Sequence, residues 1–559
     1  MLRLGVMCVI STLTLTAHAC APAETPGHHR HGAAHERSAE VPLYDNLGKH
    51  HYPITTSVPL AQRYFDQGLR LYYAFNHQEA IRAFQEAARL DPQCAMCNWG
   101  VALAHGPNIN APMDAAAGPA AYAAIEKALH HKAHASARER ALIDALATRY
   151  AAVPPAERQT LDRAYATAMR EVVERHGDDP EARTLFAEAL MDLSPWDYWT
   201  KDGKPRANTA ELLAQLEHVL AAYPDHPGAN HFYIHAVEAV QPERAVPAAE
   251  RLAQLMPGAG HIVHMPGHIY VRVGRYADAI AANEHAVHAD ERYIGEQNPA
   301  PGVYVSGYYP HNYDFLAFAA SMIGRSAQSI GAAEKIASLA SPAMMRAPGM
   351  TFVQNHYTRH LQMKVRFARW ADIVEVAAPP ADLPHARAIW HYAHGRALAA
   401  RGDTAAAQRH LTELRAITRN PAVALLRLEF NSVQAVLGIA EKVLAGHIAA
   451  AQGDANTAIA ELREAVRRED ALVYGEPPEW SVPVRQELGI VLMNAGRNDE
   501  AERVFREDLK RFPENGWSLH GLAQALRRLN RVREADAAAQ RWQRAWGSAD
   551  VKPLVFGMR

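Results

Sequence analysis

Apolar and small residues recur at helical spacing along most of the chain, in pairs of segments joined by short turns. The clearest pair is AQRYFDQGLRLYYAFNHQEAIRAFQEAARLDPQC, residues 61–94. This pattern predicts a helical hairpin, in which small residues at Gly68 and Ala80 let the two helices approach closely. Phe84 fills the space between them, and Pro92 ends the second helix because proline cannot continue an α-helix.

The same phase returns downstream, each time as a turn followed by an alanine-rich second helix. The segments begin at Gly274 (GRYADAIAANEHAV), Ala368 (ARWADIVEV), Arg401 (RGDTAAAQRHL), Gln452 (QGDANTAIAELREAV), Ala495 (AGRNDEAERVF) and Leu529 (LNRVREADAAAQ). Such recurrence is typical of repeat proteins, in which each unit buries its core against its neighbours. The pattern predicts no strand-rich domain.

Residues 61–94 resemble the tetratricopeptide repeat along their full length. The residues that stand at the family's offsets are Gly68, Ala80, Phe84, Ala87 and Pro92. Leu71 departs from the pattern, because the family usually has tyrosine there. The resemblance implies an all-α fold, an α-solenoid of tetratricopeptide-like helical hairpins with a concave ligand groove. It also implies that the first helix of each hairpin lines the groove, while the second packs outside.

Composition and phase divide the chain into seven segments. They are a signal peptide (1–19), a disordered tether rich in His, Pro and Ala (20–56), N-terminal hairpins (57–119), an irregular helical insert (120–228), central hairpins with the histidine cluster (229–400), C-terminal hairpins (401–545) and a tail (546–559). The insert departs from the repeat phase, and Ser136 and Glu139 form a predicted capping box at the start of one of its helices.

The first twenty residues, MLRLGVMCVISTLTLTAHAC, predict export, because one Arg precedes an apolar run too short to span a bilayer. Two cleavage sites remain open. Residues 17–19 (AHA) suit a soluble periplasmic protein, whereas Cys20 after small residues resembles a bacterial lipoprotein box. We therefore expect a periplasmic protein, soluble or anchored by lipid at Cys20. The tether has histidines that could bind metal ions, although a flexible linker is the simpler interpretation: His28, His29, His31 and His35.

Charge and motifs exclude several classes of function. The 58 Lys and Arg residues nearly balance the 60 Asp and Glu residues, so no basic face is predicted and nucleic acid is not an expected partner. We find no phosphate-binding glycine loop, no nucleophile elbow and no His-Glu-x-x-His helix. The hydrolase families recognised by those motifs are therefore unsupported.

The cysteine pair Cys94 and Cys97 lies in the sequence DPQCAMCNWG. Asn98 follows the second cysteine where covalent haem attachment needs histidine, which excludes c-type haem. In an oxidising compartment the pair predicts either a small local disulfide or two buried thiols at a helix start.

Histidine is unusually abundant: its 31 residues exceed the 21 Tyr and the 13 Phe. It is the commonest metal ligand, so the excess points to binding sites. The segment GAGHIVHMPGHIY, residues 258–270, places His261, His264 and His268 at spacing i, i+3, i+7, one stripe of a predicted inner helix. Pro266 either kinks this helix or begins it, in which case the first two histidines belong to an entry loop.

The preceding inner helix, NHFYIHAVEAV, carries a second stripe: His231, His235 and Glu238 at spacing i, i+4, i+7. Neighbouring helices pack about 8–10 Å apart, so side chains leaning from both can share one ion. Imidazole nitrogens and carboxylate oxygens bind such an ion at about 2.0–2.2 Å from the metal. The two stripes therefore predict a transition-metal site.

Further histidines recur in the same register. His311 has the phase of His261, and His356 and His360 have the phase of His231 and His235. We predict His311 as a ligand and treat the other two as candidate groove contacts. Imidazole with one carboxylate suits copper, zinc or iron, and the cluster has no thiolate to favour zinc alone.

Two aromatic segments outside the helical periodicity are further candidate groove contacts. SPWDYW contains Trp196, Tyr198 and Trp199, and YGEPPEWSVPVRQELG contains Trp480 and Arg485. They either clamp a ligand or cover the apolar ends of helix pairs, and the covering role is favoured because Trp and Tyr bury large apolar areas. Arg485 could also bind a carboxylate or phosphate through both guanidinium nitrogens.

The whole pattern, including GANHFYIHAVEA and GHIVHMPGHIYVRVGRY, looks like a group of exported bacterial tetratricopeptide proteins of unsettled activity. We predict a transition-metal ion held by the His/Glu cluster on the concave face, with metal-dependent chemistry on a small ligand left open. The rival hypothesis is a metal-free scaffold that binds a peptide or protein partner in the groove. Phase agreement between the histidines favours the metal, and nothing in the sequence favours turnover over binding.

Overall fold

The computed structural model describes residues 40–300 and 302–552. These residues are mostly α-helical, and among them only isolated bridges, and no β-strand, are present. The predicted signal peptide, Cys20 and the histidines at positions 28, 29, 31 and 35 lie outside the described residues, as do residues 553–559.

The helices follow one another with short connections. The N-terminal ones are α1 Pro59–Tyr73, α2 His77–Leu90, α3 Ala95–Ala104, α4 Gly118–His131, α5 Ala137–Ala147, α6 Gln159–Arg175, α7 Pro180–Asp192 and α8 Thr209–Ala222. The central ones are α9 Pro227–Val237, α10 Val246–Leu255, α11 Gly260–His264, α12 Pro266–Arg272, α13 Tyr276–Gln297, α14 Tyr309–Met322, α15 Ser326–Leu339, α16 Phe352–Arg366 and α17 Trp370–Val374. The C-terminal ones are α18 Pro384–Ala400, α19 Thr404–Thr418, α20 Pro421–Ala424, α21 Val433–Ala451, α22 Ala455–Ala471, α23 Val484–Asn494, α24 Asn498–Arg511, α25 Gly516–Arg528 and α26 Val532–Ala545.

Consecutive helices pack against each other as hairpins. The turns within these hairpins share a residue with positive φ, which closes the turn in the left-handed conformation: Phe75, Gly274, Gly324, Ala368, Gly402, Gly453, Gly496 and Asn530. Apart from the turn at Gly324, which was not predicted, these turns coincide with the recurring segments in the sequence. The predicted all-α, tetratricopeptide-like solenoid is therefore confirmed.

The first hairpin shows why small residues recur at fixed positions. A Cβ atom placed on Gly68 would lie 2.6 Å from Cδ1 of Phe84, and one placed on Gly100 of α3 would lie 2.4 Å from the same atom. The Phe84 ring is fully buried between these two helices. Close helix approach, predicted for Gly68, thus extends to the next helix along the chain.

The region between the first and central hairpins is also built of packed helix pairs. Ser136 and Glu139 form the predicted capping box of α5, with each side chain bonded to the other residue's backbone N–H. Between α7 and α8, residues 193–208 contain no helix, and Trp196 has a φ of 62° there. This non-helical stretch carries the SPWDYW segment to the central hairpins.

Residues 40–58 differ from the predicted tether. They contain no helix, but Leu47 and Tyr52 are buried against the helical body, and the Tyr52 hydroxyl donates a hydrogen bond to Asp179 at 2.7 Å. The predicted tether is therefore too long at its C-terminal end. Its few apolar residues anchor it, although its average composition is that of a flexible linker.

Cys94 and Cys97 are joined by a disulfide at the start of α3. Cys94 also caps this helix, because its sulfur accepts a hydrogen bond from the Cys97 backbone N–H at 3.0 Å. Of the two alternatives left open by the sequence, a local disulfide or two buried thiols, the structure has the local disulfide.

Within the described residues, one helix is long and apolar enough to cross a membrane by length and composition, namely α21. About two thirds of it, 67%, is buried inside the protein. It packs against α18, α19 and α22, and it forms the centre of the C-terminal apolar core.

We predict that Gly68→Ala lowers the free energy of unfolding by about 1–3 kcal/mol, because the new methyl group overpacks the buried ring of Phe84. Gly331→Ala in the middle of α15 is the matched control. Its Cβ would meet nothing within 4 Å, so better helix propensity should raise stability by up to about 1 kcal/mol. Urea unfolding followed by circular dichroism measures both. Equal effects of the two substitutions would contradict the packing argument.

Candidate metal centre

Three successive hairpins bring the predicted ligands together. His231 and His235 lie on α9 with Glu238 just after it, and α11 and α12 carry the histidines of the HIVHMPGHIY segment. His311 lies on α14. Each of these helices is the first of its hairpin. Glu238 and every histidine of the group except the half-buried His311 are almost fully buried.

Pro266 separates two short helices, α11 and α12. Met265 between them keeps right-handed helical angles, with φ −51° and ψ −36°. The structure combines the two alternatives for Pro266: α12 begins at the proline, but His261 and His264 lie on the helix α11 and not in an entry loop.

His231, His235 and His261 form the first set, and their ligand atoms lie within 4.8 Å of one another. The Nε2 atoms of His231 and His261 are 3.2 Å apart. His231 Nδ1 lies 2.7 Å from the carbonyl oxygen of Tyr73. A carbonyl only accepts, so Nδ1 carries the hydrogen and Nε2 of His231 presents its lone pair to the cluster.

Glu238 connects two of the helices through its carboxylate. Oε1 lies 3.1 Å from Nδ1 of His235, and Oε2 lies 2.6 Å from Nδ1 of His268. Nδ1 of His235 therefore donates, and Nε2 of His235 is left as an acceptor. The contact between His268 and Glu238 is an ion pair when this imidazole is protonated. Burial raises the pKa of Glu238, but charge interaction with His268 and the hydrogen bonds outweigh it and lower the pKa to about 2.

His264, His268 and His311 form the second set, again with ligand atoms within 4.8 Å of one another. The Nδ2 group of Asn283 donates to the Ala279 carbonyl at 2.8 Å, which turns Oδ1 toward His264 Nδ1 at 2.9 Å. His264 therefore donates from Nδ1. Its Nε2 is therefore an acceptor, and it lies 3.0 Å from Nε2 of His268, within hydrogen-bond distance.

The surroundings keep most of these imidazoles neutral. Burial lowers the pKa of each of the following side chains below its usual value: His231, His235, His261, His264 and His311. Within the described residues, Nε2 of His235 has no hydrogen-bond partner. Neutral imidazole with a free ring nitrogen is the form that binds metal ions.

Phe75, the turn residue of the first hairpin, packs on the cluster with ring centroids 4.6 Å from His231 and 5.3 Å from His261. A bulky residue with a φ of 55° is unusual, because its Cβ crowds the backbone. The first hairpin thus closes one side of the cluster with an apolar ring, which excludes water from that side.

A cavity of about 320 Å³ adjoins the cluster on another side. His235, His261, His268 and His311 form one wall. The facing wall is largely apolar and comes from distant parts of the chain: Trp196, Tyr308, Met350, Phe352, Leu428 and Phe430. Glu429 and Glu476 complete it, and burial raises the pKa of the Glu476 carboxyl group to about 7.

The other predicted contacts divide between this cavity and the core. Trp196 lines the cavity with its ring 5.0 Å from that of His235, whereas Tyr198 and Trp480 are buried covers and the Trp199 indole donates to the Ala236 carbonyl. Arg485 binds a carboxylate with both guanidinium nitrogens, but that carboxylate is Asp470 of the same chain, at 2.7 Å. Arg485 is thus not a groove contact.

His356 and His360 do not join the cluster. His356 lines a smaller neighbouring pocket with His311, Asp314 and Arg359, and His360 Nδ1 lies 2.9 Å from the Tyr357 carbonyl. Of the apolar wall, the sequence predicts Trp196 through the SPWDYW segment, and the run of tyrosines before His311 is a second signal, for Tyr308. The other wall residues carry no helical periodicity that would have indicated them.

A further group, His50, Glu181 and His226, has ligand atoms within 4.8 Å of one another and was not predicted. The Ala229 backbone N–H donates to His226 Nδ1 at 3.1 Å, so His226 carries its hydrogen on Nε2, 3.2 Å from Glu181. Tyr73 donates its hydroxyl to the same carboxylate. Glu181 thus accepts hydrogen bonds from His226 and Tyr73, and Nε2 of His50 lies 2.8 Å from the same carboxylate.

No protein-family model matches the chain, and no curated protein matches it. Among solved structures, the human IFIT1 dimer with m7Gppp-AAAA is 12% identical, over 88% of this chain and 91% of that chain, with a TM-score of 0.32. The Cut9–Hcn1 hetero-tetramer of APC/C is 12% identical over 74% and 80%, with a TM-score of 0.25. The TPR domain of P58(IPK) is 11% identical over 84% and 98%, with a TM-score of 0.21. Scores this low carry no argument about function.

The fold and the site define an all-helical, tetratricopeptide-like solenoid with a buried imidazole cluster.

We predict that Glu181→Gln leaves the metal content of the folded chain unchanged but lowers the free energy of unfolding by about 1–3 kcal/mol, because buried donors lose their ionised acceptor. Glu171→Gln is the control, because that carboxylate is mostly exposed, at 64%, beside Arg175. Chemical unfolding and elemental analysis measure the two quantities. Loss of metal in Glu181→Gln would show that this network is itself a metal site.

Proposed function

We propose that this chain is an exported helical-repeat protein that binds a transition-metal ion through its central imidazole cluster. The observation that carries the proposal is the convergence of buried imidazole nitrogens within the protein. Nε2 of His264 and Nε2 of His268 lie 3.0 Å apart, and the opposite ring nitrogen of each faces Asn283 or Glu238. A metal ion that displaces the proton between these two nitrogens can bind both of them.

The nitrogen spacing supports the same proposal. Two imidazole nitrogens bound to one tetrahedral ion at 2.0–2.1 Å lie about 3.3 Å apart. The closest pairs of the cluster are 3.0 Å apart for His264 and His268 and 3.2 Å apart for His231 and His261. Small shifts of the rings therefore suffice for ligation.

The hydrogen-bond partners are those that metal-binding imidazoles usually have. Nδ1 of His231 donates to a backbone carbonyl, Nδ1 of His235 to the Glu238 carboxylate and Nδ1 of His264 to an amide oxygen. Glu238 also lies 2.6 Å from Nδ1 of His268. Such partners fix the tautomer and the ring orientation and raise the basicity of the ligating nitrogen. In this account Glu238 orients two ligands through its two oxygens.

The ligand chemistry favours copper, zinc or iron, which imidazole suits. Cys94 and Cys97 are paired in a disulfide and offer no thiolate. The cavity beside the cluster gives a small molecule direct access to four of the histidines, and its facing wall suits an uncharged, partly apolar ligand. We infer that a small ligand binds there against the metal, in the groove formed by the first helices of the hairpins.

We predict stoichiometric metal in the full chain purified without an affinity tag and its loss in a His264→Ala/His268→Ala variant, measured by elemental analysis. His130→Ala/His131→Ala is the matched control, because that neighbouring pair lies at the surface end of α4, away from the cluster, and should keep the metal. Equal metal-free results for all three proteins would favour the rival scaffold, whose peptide or protein partner a pull-down should then identify.

We also predict that Asn283→Leu weakens metal affinity about 10–100-fold, because His264 loses the acceptor that fixes its tautomer. Asn283→Asp should restore most of the affinity, since a carboxylate oxygen can accept from the same Nδ1. Competition with a chromophoric chelator measures both affinities. If the leucine and aspartate variants bind equally tightly, the residue has no positioning role.

A further inference from the structure

We propose that the cluster holds two metal ions side by side, one in each tri-imidazole set, with the cavity open to both. This inference rests on the metal binding proposed above and adds the number of ions and their arrangement. The first set is His231, His235 and His261, and the second is His264, His268 and His311. The two sets share no residue.

Each set is complete for one ion. Three imidazole nitrogens within 4.8 Å of one another can converge on a common centre, and three protein ligands with a further open position are the usual composition of a reactive metal site. Each set also has one pair of Nε2 atoms already close to ligating distance, His231 with His261 and His264 with His268. The same local geometry thus occurs twice.

One ion cannot bind all six histidines, although His235 and His268, one from each set, also lie within 4.8 Å of each other and of Glu238. Nitrogens bound to a single ion at about 2.1 Å lie at most about 4.2 Å apart. Among the described residues, the groups of histidines that meet the looser limit of 4.8 Å are the two trios, and neither trio gains a histidine from the other. A single ion would therefore leave at least one trio of buried imidazoles without a common partner.

The two sets nevertheless touch. The rings of His261 and His264 have centroids 5.6 Å apart, and those of His235 and His268 are 5.3 Å apart. Glu238 spans the boundary, because one oxygen meets His235 of the first set and the other meets His268 of the second. Ions in the two sets would lie close enough for one small ligand to bridge them, as in two-metal sites with ions about 3.5–4 Å apart.

The cavity adds an independent observation. Its histidine wall contains His235 and His261 from the first set and His268 and His311 from the second. A molecule inside it therefore meets both ions at once. The chemical class of ligand that fits is a small molecule with one donor group for the ions and an apolar or aromatic body against Trp196 and Phe430.

The test is a titration of the chelator-treated full chain with Cu²⁺ alone, because copper binds imidazole most tightly among the divalent ions and is visible by electron paramagnetic resonance. All proteins carry alanine at positions 28, 29, 31 and 35, which removes the tether histidines as a source of extra binding. We expect two tight equivalents per chain. At two equivalents the spectrum should show a half-field transition or lost intensity from coupled ions.

The variants separate the two sets. His231→Ala/His261→Ala and His264→Ala/His311→Ala should each bind one equivalent, without coupling, and His130→Ala/His131→Ala should still bind two. Circular dichroism checks that each variant is folded, and the coupling measured on the unsubstituted cluster does not depend on any variant.

Each other outcome contradicts the two-ion centre. Saturation at one equivalent that either variant abolishes would mean a single shared ion, which leaves the proposed metal binding intact. Two equivalents without magnetic coupling would place the second ion elsewhere. No tight equivalent at all would overturn both this inference and the proposed function.

Discussion

The carboxylate of Glu238 is the interaction on which the centre of this protein depends. It accepts a hydrogen bond from His235 of one hairpin and lies 2.6 Å from Nδ1 of His268 of the next, in a part of the core almost without access to water. A buried carboxylate is costly unless it is fully paired, and a buried imidazole is costly unless its N–H has an acceptor. The pairing satisfies both requirements, and it leaves the opposite nitrogen of each ring directed into the cluster.

The helical repeat explains how so many imidazoles reach one place. Each hairpin contributes its first helix to the same side, so His231, His261 and His311 become neighbours although the first and last are eighty positions apart. The first hairpin closes the arrangement from farther away in the sequence, with the Tyr73 carbonyl on His231 and the ring of Phe75 over the cluster. The packing of the helical hairpins thus brings the imidazole side chains of the cluster together.

The sequence predicted the fold and the members of the cluster, because both depend on local periodicity. Helical spacing is a property of neighbouring residues, and the turns at Phe75 and Gly274 align the repeats that carry the histidines. Periodicity does not describe what loops do. Phe430, Glu429 and Glu476 reach the cavity through contacts between segments more than a hundred residues apart, which depend on the cumulative rotation of the hairpins. For the same reason the sequence left a ligand contact possible for Arg485. In the folded chain its guanidinium group is bound to Asp470.

The X-ray absorption spectrum of the metal-loaded chain at the metal edge reports the ligands of the ion directly. If the histidine cluster binds the ion, we expect a first shell of nitrogen atoms at about 2.0–2.1 Å and the outer-shell scattering characteristic of several imidazole rings. A first shell of oxygen atoms without imidazole scattering would place the metal outside the histidine cluster and would refute this metal centre.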